Sequence, residues 1–508
     1  MLGNKATKYK IVTITVKKDR NCYAFPTITV GGFMNESLNL YEKIADRISG
    51  EISGGAFYSG DRLYSIREAS ERFSVSMSTV IQAYRLLEDR GEIEARPQSG
   101  FYVRKKVEPH HENDTCSQLG GPSDVVLEDL AMRVIQDSAN PSLIQFGAAL
   151  PDPELLPFSK MSMHLSSVSK DLRYVNLYGN PEGVEELRVQ ISKKSHIAGT
   201  PVQPDDIIVT NGCMEGVYIA LSVLCRPGDL VAVESPVYFY LFKTFHSLGL
   251  RLIEIPTHRK HGVSIEALRL ALEYHPVRAC LFITNFNNPL GHFMPDENKR
   301  ELAELIAEKD IPLIEDDTWG DMYFTDKRPR TVRSFDRSGN VILCSSFSKI
   351  IGPSFRIGWV SPGKWMKEMR NIKLSLNVGT SVLPQLAVSR LLATGGYEHI
   401  LRTQRKAYFQ KMKSFVSAIR RHFPRGTRVS EPDGGFVLWV ELPLGIDSVE
   451  LYHLALEKGI SIAPGTICSM SGSFTNCIRL NSACWREEDE PAVKMLGRIA
   501  AGLLERSG

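Results

Sequence analysis

The chain lacks any apolar run approaching the roughly 20 residues that cross a bilayer, and it holds no internal repeat and no low-complexity tract. Its most apolar N-terminal stretch, Ile11 to Val16, is too short for a signal-peptide core and runs straight into Lys17-Lys18. Its nine cysteines are scattered, with no C-x-x-C pair. That argues against the common zinc and redox spacings, so no metal is expected, and it fits reduced thiols in a cytosolic protein. An excess of one charge is missing too, since 61 Lys and Arg stand against 58 Asp and Glu. Bulk charge therefore makes no case for nucleic acid, and any such case has to come from a motif. With 43% hydrophobic and 23% charged residues over 508 positions, global disorder and a fibrous repeat are excluded as well. At roughly 150 residues per domain, the length allows about three domains, or one large and one small.

What charge imbalance there is lies at one end. Residues 1–33 carry six basic residues against Asp19 alone. The stretch 1–34 reads as a disordered N-terminal extension. It is expected to be dispensable, because Met34-Asn35-Glu36-Ser37 has the look of a natural start; the opposing reading is a basic arm that adds sequence-independent affinity for a polyanion. Residues 107–124 are polar, turn-rich and without periodicity, which marks a linker. The boundaries that follow are a small unit at 35–106 and a large one at 125–508.

The small unit reads as three helices and a hairpin. Leu40, Ile44, Ala45, Ile48 and Ile52 recur at helical spacing. Ser65-Ile66-Arg67-Glu68 is a capping-box pattern opening a short helix with Ile66, Ala69 and Phe73 inward. After the turn Ser74-Val75-Ser76, a third helix buries Val80, Ala83, Tyr84 and Leu87, and a strand–turn–strand follows around Pro97-Gln98-Ser99-Gly100. The large unit alternates short apolar strands, at Ile207, Leu230, Ala279, Ile311 and Val341, with helical stretches. That pattern implies an α/β fold with a mostly parallel central sheet covered on both faces. In such sheets ligands bind beyond the carboxyl ends of the strands.

Several polar residues fall where these strands end: Gly212, Asn287-Asn288-Pro289-Leu290-Gly291, Asp316-Asp317, and Ser345-Ser346-Phe347-Ser348-Lys349. An Asp or Ser at such a place is, taken alone, more often a simple helix cap. A carboxylate, a lysine, an asparagine and a glycine turn at one rim read together as the lining of one cofactor site.

As a set, these residues resemble the fold-type I, aspartate-aminotransferase-like family of pyridoxal-phosphate (PLP) enzymes. Ser346-Phe347-Ser348-Lys349, with Arg356 seven residues on in Arg356-Ile357-Gly358-Trp359, is similar to that family's S-x-S-K-x6-R-x-G signature. The resemblance covers about residues 140–505 and implies a small C-terminal α+β subdomain. It also implies that Lys349 forms a Schiff base with the cofactor's aldehyde. Ser346, Ser348 and Arg356 would hold the phosphate, with Gly212-Cys213-Met214 adding backbone N–H groups at a helix N-terminus. Asp316 matches the aspartate facing the pyridine nitrogen, Asn288 the donor to the phenolic oxygen, and Tyr238 the aromatic stacked on the ring. Tyr178, in Tyr178-Gly179-Asn180-Pro181-Glu182-Gly183, matches a tyrosine that reaches the neighbouring subunit's phosphate, which implies a homodimer. Arg479, in Cys477-Ile478-Arg479-Leu480-Asn481, matches the arginine that grips a substrate carboxylate beside Asn288; without its motif it would read as a solvated charge. One departure stands out. The family's tyrosine two or three residues after Asp316 is replaced by Thr318 and Trp319, which removes a hydroxyl donor at the phenolic oxygen.

The small unit resembles the GntR-type winged helix-turn-helix, through Gly60-Asp61-Arg62-Leu63, Ile66-Arg67-Glu68, Val75-Ser76-Met77-Ser78-Thr79-Val80 and Ala95-Arg96-Pro97-Gln98-Ser99-Gly100. The resemblance puts Ser76, Ser78, Thr79 and Gln82 at the major groove, with Arg67 and wing residue Arg96 at phosphates or the minor groove. Met77 stands where the family usually has arginine, apolar surface suited to a thymine methyl. A protein-binding module is the competing reading, and composition does not choose, since residues 35–106 hold 11 basic and 11 acidic residues.

A GntR-type reader joined to an aminotransferase-like body is similar to the MocR family of bacterial regulators. That resemblance implies a cytoplasmic, PLP-bound transcription regulator that binds operator DNA as a homodimer. Its effector would be PLP, an amine or an amino acid, and its transamination weak or absent. The alternative is a working aminotransferase with a regulatory N-terminal module.

Overall fold

A computed structural model describes residues 40–53, 57, 61–96, 100–103, 121–125, 129–171 and 178–507. The expected extension, 1–34, and most of the expected linker, 107–120, lie outside the described residues. The chain divides into two units, residues 1–112 and 113–508.

Caps define the first unit. Helix α1 spans Leu40–Ser53, α2 Ile66–Phe73 and α3 Met77–Asp89. At the start of α2 the Glu68 N–H donates to Ser65 Oγ at 3.2 Å, while the Ser65 N–H donates to Glu68 Oε2 at 2.8 Å. These two bonds satisfy N–H groups that have no partner within the helix. Ser74, in the left-handed region at φ 54°, ends α2, and Ser76 caps α3 two residues later. So short a connection leaves the two helices as a helix-turn-helix pair. Ile44 and Ile48 of α1, Ala69 of α2 and Val80, Ala83, Tyr84 and Leu87 of α3 share one core with Leu63, Ile93 and Val103. Leu40, expected inward, is 56% exposed at the first described residue of its helix. Strands β1 (Ile93–Arg96) and β2 (Gly100–Val103) pair antiparallel, and the residues around Arg62 add a short third segment through Leu63 N to Phe101 O at 2.9 Å. The turn residues 97–99 lie outside the described set.

The second unit is built on a mixed sheet. Its centre is five parallel strands in the spatial order Arg251–His258, Leu230–Ser235, Val277–Phe282, Leu313–Asp316 and Val341–Ser346. Gly358–Ser361 then pairs antiparallel with Val341–Ser346, and Ile208–Thr210 pairs antiparallel with Gly358–Ser361. Two reversals in succession return Ile208–Thr210 to the direction of the parallel strands. Its carboxyl end, at Gly212, therefore meets the same rim as Asp316 and Ser346. The parallel expectation holds for the centre, and the edges depart from it. Pro256 conceals strand Arg251–His258 in the sequence, and a proline suits a position beside the edge. A second, antiparallel sheet carries Arg428–Val429, Val437–Glu441, Cys477–Asn481 and Ala463–Pro464, packed with helices Gly396–His422, Ser448–Glu457 and Glu490–Ser507. No helix among the described residues is long and apolar enough to cross a membrane.

Because the Ser65 hydroxyl satisfies the otherwise unpaired Glu68 N–H, Ser65→Ala is expected to destabilise the N-terminal unit by about 1 kcal/mol. Urea unfolding followed by a probe in that unit checks this, and an unchanged midpoint would show the cap to be idle.

Candidate cofactor site and nucleic-acid interface

Three consecutive carboxylates, Glu315, Asp316 and Asp317, close the Leu313–Asp316 strand, and side chains alternate in direction along a strand. Glu315 accepts from Thr284 Oγ1 at 2.5 Å and from the Val332 and Arg333 N–H groups. Asp317 accepts from Asn285 Nδ2 at 2.7 Å and pairs with Arg328. Asp316, between them, has no cation paired with it among the described residues. Its Oδ1 accepts the Thr318 N–H at 2.8 Å, and burial pushes its carboxyl above the usual range against that bond.

Lys349 stands in the loop between the antiparallel strands Val341–Ser346 and Gly358–Ser361. Its Nζ donates to the Ala149 carbonyl at 2.8 Å and lies 4.9 Å from the Trp319 ring centroid. Burial, then the positive charge of Arg479, push this amine down to about 8, with Asp316 pulling the other way. A cavity of about 180 Å³ is lined by Lys349, Arg479, Ala149, Tyr238, Phe239 and Tyr240. Tyr238 stacks on Tyr240 with centroids 5.3 Å apart. Arg479, on the Cys477–Asn481 strand, is buried. It donates through Nη1 to Asn288 Oδ1 at 3.1 Å and through Nη2 to the Gly147 carbonyl, and its Nε has no partner. No carboxylate faces it among the described residues.

The remaining predicted residues gather at the rim where Thr210 and Ser346 end. Gly212, at φ 80°, caps helix Cys213–Leu224, whose first turn contains Cys213 and Met214. A Cβ on Gly212 would fall 2.5 Å from Arg356 Nη2. Arg356 donates only to backbone carbonyls, of Asn211 at 3.0 Å and Pro353 at 3.4 Å. Ser346 Oγ accepts the Ser348 N–H at 3.3 Å, while Ser348 Oγ is buried without a partner. Tyr178 does not line the Lys349 cavity; it stands 92% exposed. Sequence reasoning missed the Ala149 carbonyl, the Phe239 ring 5.2 Å from the Arg479 guanidinium, and the placement of Trp319 beside the amine. No sequence signal pointed to these contacts beyond the small-residue run Gly147-Ala148-Ala149.

On the first unit, Ser76 Oγ caps α3 by accepting the Thr79 N–H at 3.2 Å, and it bonds both Ser78 Oγ and Thr79 Oγ1 at 2.8 Å. Ser78 and Gln82 are exposed, and Thr79 is half-buried. Met77 and Ile81, one turn apart on the same helix face, are 56% and 36% exposed. Arg67 is exposed and lies 3.6 Å from Glu71, while Arg96 pairs with Glu94 and lies over the Tyr102 ring.

Residues 159–496 match the family of aminotransferases of class I and II. The chain belongs to that family. Residues 40–103 of this aminotransferase-family chain match the bacterial regulatory proteins of the gntR family. Over 468 residues it is 35% identical to an HTH-type transcriptional regulator of Escherichia coli K12, YdcR, itself uncharacterized, covering 90% of this chain and 98% of the relative. A second from the same organism, YjiR, also uncharacterized, is 35% identical across 92% and 99%. Among solved structures, an α-aminoadipate aminotransferase from Thermus thermophilus shares the fold at TM-score 0.69 and 25% identity, covering 75% of this chain and 97% of that one. The kynurenine aminotransferase of Pyrococcus horikoshii superposes with TM-score 0.69 at 26% identity, over 75% and 96%. A GntR helix-turn-helix unit followed by an aminotransferase body is the MocR-type regulator arrangement.

Pyridoxal phosphate is the cofactor of the aminotransferase class I and II family, and the site fits it. The orphaned Ser348 hydroxyl, the Arg356 guanidinium with no carboxylate among the described residues, and the helix N-terminus capped by Gly212 at positive φ are donors suited to a dianion. A buried carboxylate without a cation suits a protonated ring nitrogen.

The lowered Lys349 amine gives a pH signature. Below pH 8 the group is charged and unreactive, and above it the neutral amine dominates, whereas an ordinary lysine changes near pH 10.4. The initial rate at which pyridoxal phosphate is fixed to the apo-protein, read after borohydride reduction, should rise about tenfold per pH unit and level off near pH 8. Lys349→Ala should remove the label. A rate still climbing at pH 10, or a label surviving in the variant, would place the anchor elsewhere.

Proposed function

We propose that this MocR-type regulator senses PLP, a small amine or an amino acid at the Lys349 site and, as a homodimer, reads paired DNA half-sites. The observation that carries this reading is the span of its relatives. HTH-type regulators match the chain nearly end to end, while the aminotransferases of known structure cover 75% of it. When bound, pyridoxal phosphate supplies an aldehyde that condenses with primary amines and a ring that withdraws electrons. Lys349 offers the amine for that aldehyde. Asp316 would face the ring nitrogen, Asn288 would donate to the phenolic oxygen, and Tyr238 would cover the ring. Ser346, Ser348, Arg356 and the N–H groups of Gly212, Cys213 and Met214 would hold the phosphate, and Tyr178 would reach the neighbouring subunit's phosphate. Arg479, held by Asn288 and Gly147, presents its fork to an effector carboxylate.

Turnover is expected to be weak. Trp319 packs edge-on against Phe436, with centroids 4.7 Å apart, where the family's tyrosine would supply a hydroxyl. Its indole lies beside the Lys349 amine, so the proton on Nζ is governed by Ala149, Trp319 and the nearby charges rather than by a phenol. Loss of one bond to a charged oxygen typically costs about 1.5–3 kcal/mol. The expected outcome with a panel of amino acids and a keto-acid acceptor is a spectral change without sustained product. Turnover on the order of 1 per second or faster would favour the working-aminotransferase reading. The observation on that side is the intact Lys349, Asp316, Asn288 and Arg479 set, together with 28% identity over 370 residues to the 2-aminoadipate transaminase of Thermus thermophilus.

On the DNA side, Arg67→Ala and Gln82→Ala are each expected to weaken binding to the intergenic DNA beside the protein's own gene by roughly 1–3 kcal/mol, with cofactor absorbance unchanged. Fluorescence anisotropy in fixed salt measures it. Equal affinity in both variants would support the protein-binding module.

A further inference from the structure

A second cavity, of about 560 Å³, shares no lining residue with the Lys349 cavity and has the size of a small-molecule pocket. Part of its wall is electrostatically closed. Asp321 accepts from Lys194 at 2.6 Å, from Arg328 Nε at 2.8 Å and from the Tyr397 hydroxyl at 2.7 Å, and Arg328 also pairs with Asp317. Arg405 is different. Its Nε donates to the Asp321 carbonyl at 2.8 Å, and its guanidinium lies 3.6 Å from the Tyr323 ring centroid. No carboxylate pairs with it among the described residues, so its terminal amino groups form a fork fixed by stacking. Lys193 and Lys327 add exposed positive charge at the same cavity. Counting Asp317, four carboxylates stand against five cations there. Beside these charges lie Leu392, half-buried, and Ile197, which is 89% exposed.

We propose that this cavity is a second ligand site, for a small organic carboxylate whose anionic end sits on the Arg405 fork and whose apolar body covers Ile197 and Leu392. An inorganic anion would satisfy the fork and leave most of the volume and both apolar side chains uncovered. Asp321 and Tyr323, which border this cavity, belong to the loop that follows Asp316 and contains Trp319, which stands beside the Lys349 amine. One short segment therefore runs from Trp319, beside the Lys349 amine, to the wall of this cavity.

The test is calorimetric titration of the cofactor-loaded protein with benzoate and with hexanoate, and separately with inorganic phosphate. The carboxylates should bind with a component that Arg405→Gln weakens about tenfold or more, as loss of a charge-assisted pair does, and that component should remain in Arg479→Gln. The last arm separates this site from the Lys349 cavity. Carboxylate heats that are absent, that are identical in folded Arg405→Gln and the parent protein, or that vanish entirely in Arg479→Gln would overturn the assignment, as would phosphate binding as tightly as either carboxylate. Should Arg405→Gln not fold, Arg405→Lys decides. It keeps the charge and loses the fork, so weakened binding supports the site and unchanged affinity overturns it.

Discussion

Everything at the Lys349 site depends on a carboxylate left without a cation. Strand alternation divides Glu315, Asp316 and Asp317 between two faces of the sheet. On one face, Glu315 is held by Thr284 and two backbone N–H groups, and Asp317 by Asn285 and Arg328. Lys299, fully buried, reinforces that face by donating to Asn285 Oδ1 at 2.6 Å and to the Arg330 carbonyl at 2.7 Å. On the other face Asp316 keeps a single backbone donor. An unpaired buried carboxylate is costly unless a proton or a cation arrives. The sheet therefore carries a standing demand for positive charge where a pyridine nitrogen would lie, and strand geometry alone directs that demand.

The opposite imbalance stands at the two arginines. Among the described residues, Arg479 is buried with no carboxylate beside it, and Arg356 donates only to carbonyl oxygens. Both charges, together with burial, lower the Lys349 amine. An anion arriving at either arginine removes part of that pressure, so ligand charge and amine reactivity are linked through simple Coulomb terms. A regulator can use such linkage without completing a reaction, because occupancy by itself changes which groups are charged.

Much of this was legible in the sequence, for identifiable reasons. The Ser65–Glu68 box, the Ser76 cap and the α3 core positions follow from local rules, and the structure places them as those rules require. Lys349, Asp316, Asn288 and Gly212 were visible because each follows an apolar strand. What escaped was set by tertiary contact. Gly358–Ser361 reads as the tail of a motif, and only its antiparallel pairing makes it the strand that turns Gly212 toward the cofactor rim. Leu40 has helical spacing but stands exposed at the first described residue of its helix. Trp319 reads as a lost hydroxyl, and only the fold shows the indole beside the amine. Arg405 and Tyr323, 82 positions apart, carry no shared pattern at all.

The loop after Asp316 joins these themes. Its first residues face the Lys349 site, and Asp321 locks its far end to Lys194, Arg328 and Tyr397. Arg328 spans the loop by holding Asp317 and Asp321 together. A Cβ on Gly320, between them, would lie 2.6 Å from Arg328 Nη2, so the backbone is drawn in tightly at that point. Buried ion pairs of this kind add little net stability over apolar packing, but breaking one partner leaves an uncompensated charge. They consequently favour a single arrangement of the loop. That fixes the direction of Asp316 and the position of Trp319 together, which is what a site needs if its response is to depend on the ligand rather than on a wandering backbone.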